Sequence, residues 1–235
     1  MDMNGLPKRE TQPVQTKQLL SLSKSCTKVN KNQYLFSEGM TADGVFIILN
    51  GKIQISKITP DGQEFTFRIC SEGDIVGEAV LFSHSQKYLL NARALENTEA
   101  AFIPKDVLET EIFKDGQLAF EFMKWLSNQY QKTQLKFRDL IMHGKKGALY
   151  STLIRASNSY GSKRDNGILI DIPLTNQELA NFCGATRESV NRMLSELKKE
   201  GVVSIISGKI LIRDLQYLKD AISCEDCPIT FCNIE

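Results

Sequence analysis

At 235 residues, 42% hydrophobic and 24% charged, the chain has the apolar content of a soluble globular protein with one or two cores. No apolar run reaches the roughly 20 residues of a membrane helix, and the opening MDMNGLPKRE has no signal-peptide core, so the expectation is a cytoplasmic protein whose cysteines are thiols or metal ligands. The formal charge of +1 hides a gradient: residues 1–142 hold 17 basic and 17 acidic side chains, 143–219 hold 12 and 7, and 220–235 none and 4, so the surplus falls where phosphate contact would use it.

Residues 1–16 are polar and contain two prolines without periodicity, which reads as a mobile terminus, and residues 16–27 read as a short helix. From 33 to 103 the texture becomes short β-prone runs at 34–37, 45–49, 52–58, 64–70, 88–93 and 100–103. Turn signals at Asn50-Gly51, Pro60-Asp61-Gly62 and Gly73-Asp74 punctuate them, the pattern of a barrel or jelly roll. Residues 104–113 read as a short helix and 117–142 as a long one. In the latter Phe122, Leu126, Tyr130, Thr133, Phe137 and Leu140 recur at steps of four and three, an a/d-like seam suited to a second copy of the helix. The glycine- and lysine-rich 143–147 reads as a hinge and 148–160 as a further helix.

Residues 174–202 carry the most specific local pattern. Thr175 with Glu178 is a capping box for a helix to about Cys183, Gly184 breaks it, and Thr186 caps a second helix whose apolar face is Val190, Met193, Leu194 and Leu197. The opposite face carries Arg187, Glu188, Asn191 and Arg192. Two short helices joined by a glycine turn also describe an ordinary hairpin with a solvated face. The flanking β-type run at 167–173, and the pair 202–206 and 209–213 around Ser207-Gly208, favour a winged helix-turn-helix whose second helix enters the DNA major groove.

The chain closes on Cys224-Glu-Asp-Cys227-Pro-Ile-Thr-Phe-Cys232. Cys70 and Cys183 sit in apolar patterns and read as buried thiols, whereas three cysteines this close in a polar tail point to metal or redox chemistry. Spacing alone leaves an iron–sulfur cluster, a zinc site and a transient Cys224–Cys227 disulfide open. The two histidines of the chain and the lack of a recognisable nucleophile or phosphate-binding motif argue against an enzyme.

The series Arg187, Glu188, Ser189, Val190, Asn191, Arg192 resembles the recognition helix of the CRP/FNR family of bacterial transcription regulators, and residues 36–55 resemble the opening strands of that family's sensor domain. The resemblance implies an α+β fold: a cyclic-nucleotide-binding-type β-barrel (17–113), a dimerisation helix (114–142), a winged helix-turn-helix (143–222) and a cysteine tail (223–235). It implies a homodimer on double-stranded DNA, with RNA polymerase as a partner and no membrane. It places Phe122, Leu126, Tyr130, Phe137 and Leu140 in the dimer seam. It assigns Arg187, Glu188, Ser189, Asn191 and Arg192 to DNA, Arg187, Glu188 and Arg192 reading a TGTGA half-site. Family members that bind cyclic nucleotides keep Gly-Glu, here Gly77-Glu78, and an Arg-Ser/Thr pair. At that pair stand Tyr88 and Leu89, which cannot bind a phosphate, so cyclic-nucleotide control is not expected. The tail resembles the branch of the family from Gram-positive bacilli, in which three C-terminal cysteines, here Cys224, Cys227 and Cys232, hold an oxygen-sensing [4Fe-4S] cluster with an aspartate near the end of the dimer helix, here Asp139. Read without the resemblance, Asp139 is a helix carboxylate bonded to Arg138 or Lys136, and His143 or water would be the other candidates for a fourth ligand. A zinc or thiol tail, or a small ligand in the barrel, remain the alternatives.

Overall fold

The computed structural model describes residues 16–83 and 86–234, and contacts gather them into two compact units, 16–128 and 129–234. The expectation for residues 1–16 lies, apart from Thr16, outside the described residues.

In the first unit a short helix α1 (Thr16–Ser21) precedes eight strands: β1 (Ser25–Val29), β2 (Tyr34–Phe36), β3 (Gly44–Asn50), β4 (Ile53–Ile58), β5 (Glu64–Cys70), β6 (Ile75–Val76), β7 (Asn91–Ala94) and β8 (Thr98–Pro104). They form two antiparallel four-stranded sheets, in the orders β1-β8-β3-β6 and β2-β7-β4-β5. Phe36, Phe46, Ile48, Ile53, Ile55 and Val76 fill one core with side chains from both sheets, and the small Ala92, Ala94 and Ala100 line it. Strand β3 is buried on both faces. Phe46 and Ile48 enter this core while Val45 and Ile47 enter a second one with Leu19, Leu108, Phe122 and Trp125, which is why its sequence is a continuous apolar run instead of an alternation. The helical side of the second core comes from α2 (Lys105–Lys114) and the start of α3 (Gly116–Tyr160).

Two sequence expectations change here. The helix expected over 16–27 stops at Ser21, and Ser25–Val29 is a strand because β8 offers it a partner, with Cys26 opposite Ala101 and Lys28 ion-paired to Glu99 at 2.8 Å. That partner lies some seventy residues on, beyond the reach of a local pattern. The second change concerns the seam. Phe122 is 1% exposed within the second core and Leu126 packs half-buried beside it, so Phe122 is withdrawn from any surface offered to a partner. Tyr130 and Phe137 are exposed, and Leu140 is half-buried. The exposed large apolar side chains along α3 are Phe120, Met123, Tyr130, Phe137, Ile141 and Met142, and the first five, at steps of three, seven, seven and four, make a heptad a/d series. The helix therefore has two apolar faces, and the sequence reading mixed them.

Helix α3 is interrupted once, at Gly144, whose φ of 60° and ψ of −163° fall inside the expected hinge 143–147. The division between the units lies further back, after Asn128, so the α3 segment from Gln129 groups with the second unit. There α3 ends in a run, 147–157, buried without interruption. It is followed by β9 (Gly161–Arg164), β10 (Gly167–Ile170), α4 (Asn176–Cys183), α5 (Arg187–Lys199), β11 (Val203–Ile206), β12 (Lys209–Ile212) and α6 (Leu215–Ala221). The sheet order is β11-β12-β10-β9. Ser207 and Gly208, both at positive φ (49° and 78°), make the tight turn of the wing hairpin.

Candidate nucleic-acid interface and candidate cluster site

The start of α4 is fixed by a complete capping box: the Glu178 N–H donates to Thr175 Oγ1 at 3.1 Å and the Thr175 N–H donates to Glu178 Oε2 at 2.7 Å. Gly184 ends it in the left-handed region at φ 56°, and Thr186 caps α5 by accepting from the Ser189 N–H at 3.2 Å. Val190, Met193, Leu194 and Leu197 are buried, locking the helix's rotation. The five expected base-reading residues then divide. Arg187, Glu188 and Arg192 are exposed and have no intramolecular partner among the described residues. The Ser189 hydroxyl pairs with Thr186 Oγ1 at 3.0 Å, and Asn191 Oδ1 accepts from Asn176 at 3.1 Å, so these two hold the local frame. A rigid helix thus presents two guanidinium forks and a carboxylate, the donors and acceptor suited to guanine and cytosine edges.

In the barrel, the position expected to carry a phosphate-binding arginine is filled by the ring of Tyr88. Its hydroxyl donates to the Gly44 carbonyl at 2.7 Å, and its ring stacks on Phe36 with centroids 3.9 Å apart. Gly77 turns beside it at φ 86°, where a Cβ would lie 3.1 Å from the Tyr88 ring. The Glu78 carboxylate accepts from Arg68 at 2.7 Å. Leu89 is 56% exposed. The one carboxylate a nucleotide would recruit, that of Glu78, is engaged by Arg68, and the phosphate position is filled by the Tyr88 ring.

The tail site lies within the second unit. Asp139 is 3% exposed, and its carboxylate is fully subscribed: Oδ2 accepts from Ser151 Oγ at 2.5 Å and Arg155 Nη2 at 3.0 Å, and Oδ1 from Arg138 Nε and Nη2 at 3.1 and 2.9 Å. Burial works against this carboxylate, but the bonds from Ser151, Arg138 and Arg155 outweigh it and hold its pKa below the ordinary aspartate value. Burial pushes the Cys232 thiol up, Arg155 tempers the rise, and the electrostatic neighbours Cys224, Cys227 and Asp139 add to it. All three tail thiols are half-buried. Among the described residues, however, no three ligand-type side chains are arranged to hold a metal ion. Tested against a [4Fe-4S] cluster, the donor set fits in kind, being three neighbouring thiols and a carboxylate. Asp139 would first have to leave its arginine and serine partners. Of the other cysteines, Cys26 is exposed on β1 and Cys183, against Thr152 at 3.8 Å, is buried with a pKa pushed up to about 12.

Residues 26–115 match the cyclic nucleotide-binding domain family and residues 148–221 the Crp-like helix-turn-helix domain family. Over 219 residues, 93% of this chain and 92% of the relative, the chain is 53% identical to the anaerobic regulatory protein of Bacillus subtilis strain 168. The chain belongs to the CRP/FNR family of transcription regulators. A further relative, the lactate racemization regulatory protein of Lactiplantibacillus plantarum, is 31% identical over 83% of this chain and 90% of its own. Among solved structures, a CooA mutant from Carboxydothermus hydrogenoformans superposes with a TM-score of 0.73 at 22% identity, covering 87% of this chain and 90% of that one. The c-di-GMP responsive regulator CLP of Xanthomonas campestris gives 0.72 at 20%, covering 84% and 97%. Those likenesses establish the shared fold. CRP/FNR members are regulators and not enzymes, in line with the sequence reading.

Within this CRP/FNR chain, sequence reasoning missed the residues that engage the tail. Arg155 Nη1 donates to the Phe231 carbonyl at 3.1 Å, Asn158 Nδ2 to the Cys232 carbonyl at 2.7 Å, and Ser159 Oγ accepts from the Ile234 N–H at 3.1 Å. Ser151, Arg155, Asn158 and Ser159 are spaced i, i+4, i+7, i+8, one helical face. The available signal was an arginine inside a helix of otherwise apolar and small residues, because a buried guanidinium needs partners.

Proposed function

We propose that this chain is an anaerobic transcription regulator of the cytoplasm that binds a TGTGA-N6-TCACA-like site as a homodimer and acts with RNA polymerase. In this reading its DNA affinity is set by a [4Fe-4S] cluster on Cys224, Cys227, Cys232 and Asp139. The observation that carries the reading is the charged face of α5, where Arg187, Glu188 and Arg192 project from a doubly anchored helix without a partner among the described residues. Arginine matches guanine O6 and N7, and glutamate accepts from cytosine N4, which gives the GC-containing half-site; a two-fold dimer places two such half-sites about one helical turn apart. The name of the relative 53% identical to this chain, an anaerobic regulatory protein, supports the physiological setting.

For the switch, support comes from three half-buried thiols on one short tail whose Cys232 end is held to α3 by Asn158 and by Arg155, the arginine that also bonds Asp139. When bound, the cluster would supply an oxygen-labile cross-link between the tail and α3. The protein's part is to release Asp139 from Ser151, Arg138 and Arg155 and to hold the three thiolates together. DNA affinity then shifts by the difference in the cluster's affinity for the two conformations. Ultraviolet–visible spectra and iron and sulfide contents of anaerobically purified protein, paired with DNA selection before and after air, test the whole. The expected result is a brown protein that selects TGTGA half-sites and loses both colour and affinity in air. A colourless anaerobic protein would return the tail to zinc or thiol chemistry, and TTGAT half-sites would refute the base assignment.

A further inference from the structure

Asp139 stands between two arginines, and each of them reaches a different end of the cysteine tail. Arg138 Nη1 pairs with Glu225, next to Cys224, at 2.5 Å. Arg155 Nη1 donates to the carbonyl of Phe231, next to Cys232, at 3.1 Å. Both guanidinium groups are oriented by the same carboxylate, through the Arg138–Asp139 contact at 2.9 Å and the Arg155–Asp139 contact at 3.0 Å. The two ends are unequal. Glu225 is 66% exposed, so its ion pair is a weak, solvent-screened contact, whereas the side chains of Arg155 and Asp139 are 5% and 4% exposed. Beside Arg155, Asn158 and Ser159 hold the Cys232 carbonyl and the Ile234 N–H, and Ile234 itself is 1% exposed.

We infer that Arg138 and Arg155 form a clasp that couples the occupancy of Asp139 to the docking of the tail, with Arg155 the dominant positioning residue. While Asp139 holds both guanidinium groups, they bracket the run from Cys224 to Cys232 against α3. If the carboxylate turns to another partner, Arg155 loses the group that orients it, and the tail loses its buried anchor. On the proposed function this gives the switch its lever, since one carboxylate would serve the clasp or the cluster but not both. The docking itself is a property of the cluster-free chain and is measured without the cluster.

Hydrogen–deuterium exchange by mass spectrometry on the full-length, cluster-free protein tests it. The reporters are the amides of Phe231 and Cys232, both bonded to the Pro228 carbonyl, and of Ile234, bonded to Ser159. In Arg155→Gln these should exchange about tenfold faster, the scale expected when a charged hydrogen bond is lost. The α5 amides should keep their wild-type rates, which a global loss of fold would not allow. Asp139→Asn should speed the tail amides by a smaller factor, and the Asp139→Asn/Arg155→Gln double variant should exchange no faster than Arg155→Gln alone. Wild-type tail rates in Arg155→Gln, or multiplicative effects in the double variant, would overturn the inference. If the lone buried carboxylate prevents Arg155→Gln from folding, the double variant, which removes both charges, carries the test against wild type, and equal rates again overturn it. Iron and sulfide uptake by the wild-type protein under anaerobic reconstitution is the separate arm: its failure sinks the cluster reading and leaves the clasp standing.

Discussion

Arg187 and Arg192 project from α5 without an internal partner among the described residues, so truncating either should leave folding within about 0.5 kcal/mol of wild type and act on DNA alone. Arg187→Ala and Arg192→Ala are each expected to weaken binding by about 1–3 kcal/mol and to relax selectivity at a single base pair. Binding isotherms on single-substitution operators read this directly; a uniform loss across all operators would make the contact one to phosphate. Tyr88 behaves oppositely, having a fold role in place of a ligand role. Burial, with Asp43 nearby, pushes its phenol up to about 12, above the ordinary value near 10, so the fold favours the protonated form. Its stabilisation is complete below pH 10 and is lost as pH rises from 10 to about 12. Tyr88→Phe should therefore lose about 1–2 kcal/mol at neutral pH, from the unsatisfied Gly44 carbonyl, and show a flatter decline in denaturant midpoint across that alkaline window. By the same geometry millimolar cyclic AMP should leave the melting temperature unchanged, and a saturable shift would mean that the Tyr88 ring can be displaced.

Among the elements, α3 is where burial revises the sequence most usefully. Spacing at three and four residues announces an apolar stripe, but a helix covered on one side by the barrel and offered to a partner on the other has two stripes 3.6 residues per turn cannot separate. Exposure separates them: Phe122 and Trp125 face the barrel, while Phe120, Met123, Tyr130, Phe137 and Ile141 face outward. Met123→Glu or Phe137→Glu should dissociate the proposed dimer with little change in monomer fold, because the charge becomes buried only on association. Phe122→Glu should unfold the first unit instead. Sedimentation equilibrium beside circular dichroism distinguishes the two, and a stable Phe137→Glu dimer would move the interface off this face. Where elements depended on local chemistry the sequence was sufficient: Thr175 with Glu178 and Thr186 marked the starts of both helices of the turn, and Gly184 the end of the first. Where they depended on a distant partner it was not. Strand β1 exists because β8 is there, and Arg155 matters because Asp139 and Phe231 converge on it from either side in the chain.

For the molecule as a whole, the proposed oxygen switch turns on which cysteines are open to chemistry. Cys224, Cys227 and Cys232 are half-buried neighbours on a short tail, Cys26 is exposed on β1, and Cys70 and Cys183 are sealed in apolar cores. Oxidative and metal chemistry needs thiolate and access, and Cys183, with its pKa pushed up to about 12, offers neither. Replacing any one tail cysteine by alanine is expected to abolish the anaerobic chromophore and the oxygen dependence of DNA binding together. Cys26→Ala should change neither. Cys70→Ser and Cys183→Ala should keep the chromophore while lowering stability by about 1–3 kcal/mol, since one puts a polar hydroxyl in place of a thiol in an apolar core and the other leaves a small cavity. Asp139→Ala belongs to both classes: it removes the proposed fourth donor and leaves the buried Arg155 without its carboxylate, so it should impair cluster content and also destabilise the second unit. Iron and sulfide per chain, measured under strict anaerobiosis beside a denaturation curve for each variant, resolves the two effects. A full complement in Asp139→Ala with reduced stability would assign Asp139 wholly to the arginine clasp and pass the fourth position to His143 or solvent.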